Sequence, residues 1–391
     1  MQRINGTPLR RMLAIACLAA MLACPASAEE GPAGDPRESL SLSAFQMVGT
    51  HNSYHIEPPS EVFDLMLETD YRESEEWPAR KLIPALSFTH LPLERQLDLG
   101  IRLFELDLHD DPEGGRFARP GAYEYLRSQG VRMDFDPGHV LERPGMKVFH
   151  AADTDVRSHC LTLAACLGIV NAWSDAHPGH FPIFIQFETK ESSKPPIANA
   201  YEPAPDAPFT AGSWERLHAE ISAAIPAGRI VTPRDVQGTY ASLNEAVRKG
   251  GWPALSRMRG KIVFLLLDED AKQRDYIAFA TSAGHEMVLF PSLDPRDPFT
   301  GWLRRDNPKA SDIGRRVREG FLVYTRADKH TDAARAGDYT QRDRALLSGA
   351  QLVSTDFPVP DPRYGSYSVS IDGRYVGCNR QYAPRECAGG R

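Results

Sequence analysis

The feature that most constrains this chain is a series of eight short apolar runs, each ending in a cluster of polar residues. The runs at 182–187 and 261–267 are almost continuously apolar, which is typical of parallel strands buried on both faces. Segments 214–225 and 243–247 repeat apolar residues with the period of a helix. The eight predicted strands are 45–50, 101–108, 146–150, 182–187, 261–267, 286–290, 321–325 and 351–354.

Eight strand and crossover units predict an α/β fold with a single TIM-type (β/α)8 barrel, which can be irregular and which carries long inserted loops at 55–100 and 191–259. An open doubly wound sheet is the alternative. The 391 residues allow two average domains or one large barrel. We assign 43–358 to the barrel, 29–42 to a flexible N-terminal segment and 359–391 to a C-terminal extension with a small disulfide loop.

The first 28 residues have the pattern of a signal peptide. Three arginines precede an apolar run at 12–23, and an Ala-Ser-Ala triplet ends at Ala28, where we expect cleavage. A membrane-spanning helix takes about 20 residues, so this run is too short to be one. We therefore predict a secreted or periplasmic protein without a transmembrane segment. A lipoprotein anchored at Cys24 is the alternative.

Four cysteines would remain after cleavage. An even number in an exported chain predicts two disulfides with short loops, Cys160 with Cys166 and Cys378 with Cys387. Zinc is the rival use of four cysteines, but neither pair has the CxxC spacing of a zinc site.

The balance of charge bears on the partners of the protein. The chain has 52 acidic and 45 basic residues, and loss of the three leader arginines would change its net charge from −7 to −10. A chain with this net negative charge would bind nucleic acid poorly, and its electrostatic attraction to an anionic bilayer would be weak. We expect no nucleic-acid partner and a monomer.

Oxygen-bearing side chains lie at the ends of several predicted strands, which is where barrel enzymes place their working residues. Glu105 and Asp107 are two residues apart in one strand and point to the same side, while Asn52 and Glu188 follow two others. Buried carboxylates are costly unless they are paired or bind a cation. Each alone could be an ion-pair partner, but the set of four suits Ca²⁺ or Mg²⁺.

Two histidines, His51 and His150, end predicted strands beside this set. Next to an oxygen-only cation site they fit the roles of acid, base or hydrogen-bond donor to a phosphate better than that of ligand. His51 and His55 also have the spacing of a zinc pair, but the chain contains no HExxH helix. Three further histidines are interpreted as structural or solvent-facing, namely His109, His159 and His177.

Further charged residues follow the later strands. Lys190 lies on the same side of its strand as Glu188. Arg326 and Asp328 could hold a phosphate and a sugar hydroxyl, although a plain ion pair is equally compatible. Asp356 is interpreted as a turn or helix cap.

The motifs "GTHNSYH", "FELDLHD", "KVFHAAD", "FIQFETKE", "YTRADKH" and "GAQLVSTDFP" together resemble the secreted bacterial branch of the calcium-dependent phosphatidylinositol-specific phospholipase C family. The resemblance runs from about Phe45 to Phe357. It implies a TIM barrel that cleaves phosphoinositides to diacylglycerol and inositol phosphate through a cyclic phosphate.

The resemblance also implies roles for individual residues. Asn52, Glu105, Asp107 and Glu188 would hold calcium, and His51 and His150 would be catalytic. Glu105 is the expected base, and the substrate-binding residues are expected to be Lys190, Arg326 and Asp328.

Eukaryotic relatives place lysines on the fifth strand, near the extra phosphates of the inositol ring, where this chain has the apolar residues 264–267. Asp268, Glu269 and Asp270 follow that apolar stretch, so unphosphorylated phosphatidylinositol is the expected lipid. Contact with the membrane surface is expected from an apolar loop rim within 55–100 that includes Trp77.

Two other functions compete with this interpretation. A glycerophosphodiester phosphodiesterase is also a metal-dependent barrel with a histidine pair, but its His-Arg-Gly start is replaced here by "GTHNSY". A non-catalytic, calcium-stabilised module that binds lipids or glycans would leave the two histidines without a role.

Overall fold

A computed structural model describes residues 34–282, 284–385 and 387. The predicted signal peptide and the alternative anchor at Cys24 lie outside the described residues. The strands are β1 (Phe45–Thr50), β2 (Arg72–Ser74), β3 (Trp77–Pro78), β4 (Leu103–His109), β5 (Lys147–Val148), β6 (Ile183–Thr189), β7 (Ile230–Val231), β8 (Ile262–Leu266), β9 (Leu289–Phe290), β10 (Trp302–Arg304), β11 (Leu322–Arg326), β12 (Leu352–Thr355) and β13 (Val376–Cys378).

Helices fill most of the connections between these strands. They are α1 (Ser60–Glu68), α2 (Ala79–Leu86), α3 (Leu93–Asp98), α4 (Gly121–Ser128), α5 (Leu163–Ala176), α6 (Ala211–Ala224), α7 (Pro233–Gln237), α8 (Leu243–Lys249), α9 (Leu255–Met258), α10 (Asp270–Ala280), α11 (Ile313–Arg318), α12 (Asp332–Ala336) and α13 (Thr340–Leu347). The helical periods at 214–225 and 243–247 correspond to α6 and α8, which confirms both predictions.

The parallel strands form two ladders, β10-β11-β12-β1 and β4-β6-β8-β9. At the first seam between them, Gly49 of β1 packs so closely on Leu103 of β4 that a Cβ there would lie 2.3 Å from Leu103. At the second, the indole N–H of Trp302 donates to the carbonyl of Phe290 at 2.7 Å. The eight strands therefore follow one another around a (β/α)8 barrel whose hydrogen-bonded ladder is interrupted at two seams.

One predicted barrel strand is wrong. Only Lys147–Val148 of the run 146–150 is a strand, and it pairs antiparallel with the end of β4. The barrel strand that the sequence analysis missed is β10, which has three residues and leads into the charged Arg304-Arg305-Asp306 segment. The apolar stretch of β10 is too short to be recognised as a strand from sequence. The run at 146–150 is apolar, but an apolar run does not indicate whether a strand pairs parallel or antiparallel.

The core lies between the strands and the surrounding helices. One cluster joins β4, β6 and β8 to residues of α3, α5, α6 and α10, among them Leu97, Val170, Leu217 and Tyr276. At the other end of the chain, β13 pairs antiparallel with Phe45–Met47 of β1. Both predicted disulfides, Cys160–Cys166 and Cys378–Cys387, are formed. None of the described helices is long and apolar enough to cross a bilayer.

Candidate active site

A cavity of about 210 Å³ opens where the carboxyl ends of the barrel strands meet. It combines cationic, anionic and apolar side chains from several strand ends and from the segment 72–88. Its lining is His51, Asn52, Glu73, Trp77, Leu82, Ala85, Leu86, Phe88, His150, Glu188, Lys190, Arg326, His330 and Asp356.

Three carboxylates form a cluster at this end of the barrel. Glu105 and Asp107 lie on β4, and Asp107 is the register partner of Glu188 on β6, so the parallel pairing places all three on one side. One oxygen of each lies within 4.8 Å of the others. Burial, together with the charges of Glu188 and Asp107, raises the pKa of Glu105 well above its usual value.

Asn52 completes the predicted ligand set. It follows β1 in a left-handed backbone conformation with φ of 47°, and only 4% of the residue is exposed. Its Oδ1, Glu105 Oε2 and Asp107 Oδ1 are buried and have no hydrogen-bond partner among the described residues. Buried oxygens left unpaired are costly, and a hard cation with oxygen ligands would satisfy them. The residues present therefore fit a Ca²⁺ ion.

His51 is held by a carboxylate from the last barrel strand. Its Nδ1 donates to Asp356 Oδ1 at 2.7 Å, and its Nε2 lies 3.7 Å from Glu105 Oε1. Burial and the charge of Arg326 lower the pKa of His51 to about 4. Although burial opposes it, the charges of His51 and Arg326 hold the pKa of Asp356 at about 2. The interpretation of Asp356 as a turn or helix cap is therefore wrong.

His150 is held in a similar way. Its Nδ1 donates to Asp155 Oδ2 at 3.0 Å, and the same carboxylate accepts from His55 Nε2 at 3.1 Å. The Nδ1 of His55 donates in turn to the carbonyl of Phe88 at 3.0 Å. Burial would lower the pKa of His150, but the hydrogen bond to Asp155 and the charge of that carboxylate raise it. The sequence analysis missed both Asp155 and the role of His55.

Arg326 and Asp328 have different surroundings. Arg326 lines the cavity, and its Nη2 lies 3.3 Å from Asp356 Oδ2. Asp328 lies outside the cavity lining and accepts from the Asp356 backbone N–H at 2.9 Å and from the hydroxyls of Thr355 and Tyr367. These contacts fix the position of Asp356.

The three histidines interpreted as structural have local partners. His109 stacks on Phe149 and donates to its carbonyl at 2.9 Å. His159 lies 2.7 Å from the carbonyl of His90, and His177 stacks on Trp173. None of the three lines the cavity.

The family model of Ca²⁺-dependent phosphoinositide phospholipase C matches residues 40–380. The chain belongs to this family. Calcium is accordingly its cofactor and phosphodiester hydrolysis its class of reaction. The search of curated proteins found no match.

The phospholipase C fold is also found in similar solved structures. One is the calcium-dependent phosphoinositol-specific phospholipase C of a Gram-negative Pseudomonas species in its apo form, with 15% identity, a TM-score of 0.53, and coverage of 90% of this chain and 99% of that one. A second structure of that enzyme, a complex with myo-inositol, has the same identity and TM-score and covers 91% of this chain and 99% of that one. At this identity the likeness establishes the barrel fold.

Within this phospholipase C, Lys190 contacts the carboxylates directly. Its Nζ lies 3.0 Å from Asp107 Oδ2 and 3.2 Å from Glu188 Oε1. Burial would lower the pKa of Lys190, but the negative charges of these two carboxylates raise it. Burial would raise the pKa of Glu188, but the charges of Lys190 and Arg304 lower it.

One wall of the phospholipase C cavity is apolar. Leu82 and Leu86 of α2 line it together with Phe88 and Trp77. The Trp77 ring packs edge-on against His330 with 4.8 Å between ring centroids. Trp77 is half-buried in the cavity wall rather than at the tip of an exposed loop.

Proposed function

We propose that this protein is an exported phospholipase C that cleaves phosphatidylinositol to diacylglycerol and inositol phosphate through an inositol cyclic phosphate. The observation that carries the proposal is the arrangement of two histidines, each held at Nδ1 by a buried carboxylate, beside three clustered carboxylates. The myo-inositol complex of the Pseudomonas enzyme supports an inositol headgroup as the ligand.

The calcium ligands in this proposal are Asn52, Glu105, Asp107 and Glu188. Calcium bound there supplies charge neutralisation at the phosphate and a lowered pKa of the inositol 2-hydroxyl. Arg326, which lines the cavity, binds a phosphate oxygen. Asp328 acts through Asp356 and not on the substrate.

The first step forms the cyclic phosphate. Glu105 takes the proton of the 2-hydroxyl as the hydroxyl oxygen attacks phosphorus. His51 takes up a proton when the phosphate anion binds beside it, and the resulting imidazolium donates from Nε2 to a phosphate oxygen while Nδ1 stays bonded to Asp356. The bond from phosphorus to the glycerol oxygen breaks, and His150 gives that oxygen a proton, so diacylglycerol leaves as a neutral alcohol.

The second step opens the ring. His150, now without its proton, takes one from water as the water oxygen attacks phosphorus. The bond from phosphorus to the 2-oxygen breaks, and Glu105 returns its proton to that oxygen. Both residues are then in their starting states.

Unphosphorylated phosphatidylinositol is the proposed substrate because the end of β8 is acidic. Asp268 accepts from the Thr189 backbone N–H at 2.9 Å, and two further acidic residues follow it. The nearby Arg304 already pairs with Asp306 at 2.9 Å. Additional phosphates on the inositol ring would meet carboxylates rather than free cations.

The experiment that tests this function follows phosphorus species by NMR. The full mature chain is incubated with phosphatidylinositol, and separately with glycerophosphodiesters, with and without EGTA. We expect inositol cyclic phosphate from phosphatidylinositol in the samples without EGTA, where free calcium is present, and none in the samples with EGTA. Glycerol phosphate from the second substrate would indicate a glycerophosphodiesterase, and no turnover of either would indicate a binding module.

A further inference from the structure

Lys190 holds a position that the reaction sequence above does not use. It follows β6, and its backbone N–H donates to the carbonyl of Leu108 at 2.8 Å, which continues the register with β4. Its side chain therefore lies on the same side as Glu188. Its Nζ bridges Asp107 Oδ2 and Glu188 Oε1 at 3.0 and 3.2 Å.

The ammonium and a calcium ion would share these oxygens. Calcium ligands lie about 2.3 to 2.6 Å from the ion. Because the ammonium already lies within hydrogen-bond distance of one oxygen on each of two carboxylates, a divalent cation on the same oxygens would be a close neighbour of like charge. Like charges at such separations repel strongly where water is scarce.

The ammonium also has a function without calcium. Asp107 is fully buried, and only 32% of the Glu188 side chain is exposed. Two such carboxylates without a counter-ion would destabilise the fold, and Lys190 supplies that counter-ion. The same contacts that stabilise the metal-free site therefore oppose occupation by a second cation.

We propose that Lys190 is a built-in competitor for calcium, which weakens the affinity of the site for the ion. The inference rests on the proposed function, in which these carboxylates hold calcium. Weak sites of extracellular proteins bind Ca²⁺ with dissociation constants of about 10⁻⁴ to 10⁻³ M. Lys190 shifts this site toward that weak range, so the enzyme needs more calcium for activity than it would with a neutral residue at this position.

Calcium titration of the full mature chain by isothermal calorimetry tests the inference. Lys190→Met removes the charge, Lys190→Gln removes it while keeping donors for both carboxylates, and Lys190→Arg keeps it. Lys272→Met is the matched control, because Lys272 is similarly buried and pairs with Glu191 at 2.6 Å outside the cavity. Thermal melts with calcium and with EGTA accompany each titration.

We expect Lys190→Met and Lys190→Gln to bind calcium about tenfold or more tightly than wild type, because a neighbouring positive charge is removed. Lys190→Arg and Lys272→Met should bind as wild type does. In EGTA the two neutral variants should melt at lower temperature, and calcium should raise their melting temperature by more than it raises that of wild type. A gain of affinity is a result that damage to the fold does not produce.

Two results would overturn the inference. If wild type binds calcium and both neutral variants bind it equally or more weakly, the competition is absent while the proposed function stands. If neither wild type nor any variant binds calcium, the competition and the proposed calcium site both fail. Circular dichroism identifies a variant that has not folded, and the other neutral variant then decides the test.

Discussion

At the scale of single residues, the two cavity histidines have the same support. Each donates from Nδ1 to a buried aspartate, Asp356 for His51 and Asp155 for His150. Such a bond fixes the orientation of the ring and leaves Nε2 for chemistry. The sequence predicted the histidines because they end apolar runs. It could not predict Asp356 as the partner of His51, since the two are 305 positions apart and only the pairing of β1 with β12 brings them together.

Removal of either histidine should slow the reaction strongly. We expect His51→Ala and His150→Ala each to lower kcat by about 10²- to 10⁴-fold, which is the usual contribution of a general acid or base. The measurement is initial-rate kinetics on phosphatidylinositol, with circular dichroism to verify folding. His177→Ala, which is outside the cavity, should retain wild-type kcat. Turnover within about tenfold of wild type in either active-site variant would refute its assignment.

His55 is expected to act through Asp155 on His150. In His55→Gln we expect kcat to fall about ten- to a hundredfold, as is common when the outer partner of a working side chain is lost, with KM little changed. Steady-state kinetics separates the two parameters. A rise in KM at constant kcat would place His55 in substrate binding instead, and unchanged kinetics would leave it a purely structural residue.

His218 provides a test of the fold away from the cavity. Its Nε2 lies 3.1 Å from the Tyr276 hydroxyl, and burial followed by the charge of His285 lowers its pKa to about 4. Between that value and about 6.5 the unfolded chain binds the extra proton, so the contribution of neutral His218 to stability is lost as pH falls through this window. The free energy of unfolding should therefore fall less between pH 6.5 and 4 in His218→Phe than in wild type. Parallel slopes in denaturant titrations would contradict this.

At the scale of elements, strand prediction succeeded where apolar runs were long and failed where pairing decided the structure. The ladders of β4, β6 and β8 follow continuous apolar runs. The two-residue β5 is antiparallel, and β10 depends on Trp302 contacts with a distant strand. The inserted segment that includes β2, β3 and α2 was predicted only as a loop. The apolar rim expected in this segment, with Trp77, forms one wall of the cavity, and its position there depends on the fold of the segment.

This wall gives the inserted segment a testable role in lipid contact. We expect Trp77→Ala to raise the KM for phosphatidylinositol in vesicles, because it removes the largest apolar side chain of the wall. Hydrolysis of soluble inositol cyclic phosphate should be unchanged. Tyr240→Ala is the control, since Tyr240 is exposed and outside the cavity lining. Equal KM values for wild type and Trp77→Ala in vesicle assays would show that Trp77 and its wall have no role in lipid recognition.

At the scale of the whole molecule, the barrel arrangement of the strands brings scattered strand ends together at one site. The fold class and the cluster of three carboxylates were predictable, because buried strands and their polar ends leave strong local signals. The two interrupted seams were not, since they depend on the close approach of Gly49 to Leu103 and on one indole hydrogen bond. The net negative charge of the chain is consistent with a protein whose attraction to lipid does not depend on a basic surface.

The central claim is that carboxylates from two neighbouring strands bind the calcium that the reaction requires. The rate of phosphatidylinositol cleavage, measured against free calcium for wild type and Asp107→Asn, tests it most directly. We predict saturable activation of wild type, no activity in EGTA, and an increase of about tenfold or more in the calcium needed by Asp107→Asn. Asp175→Asn, an exposed control, should follow wild type. Activity that persists in EGTA, or identical calcium curves for wild type and Asp107→Asn, would contradict the account.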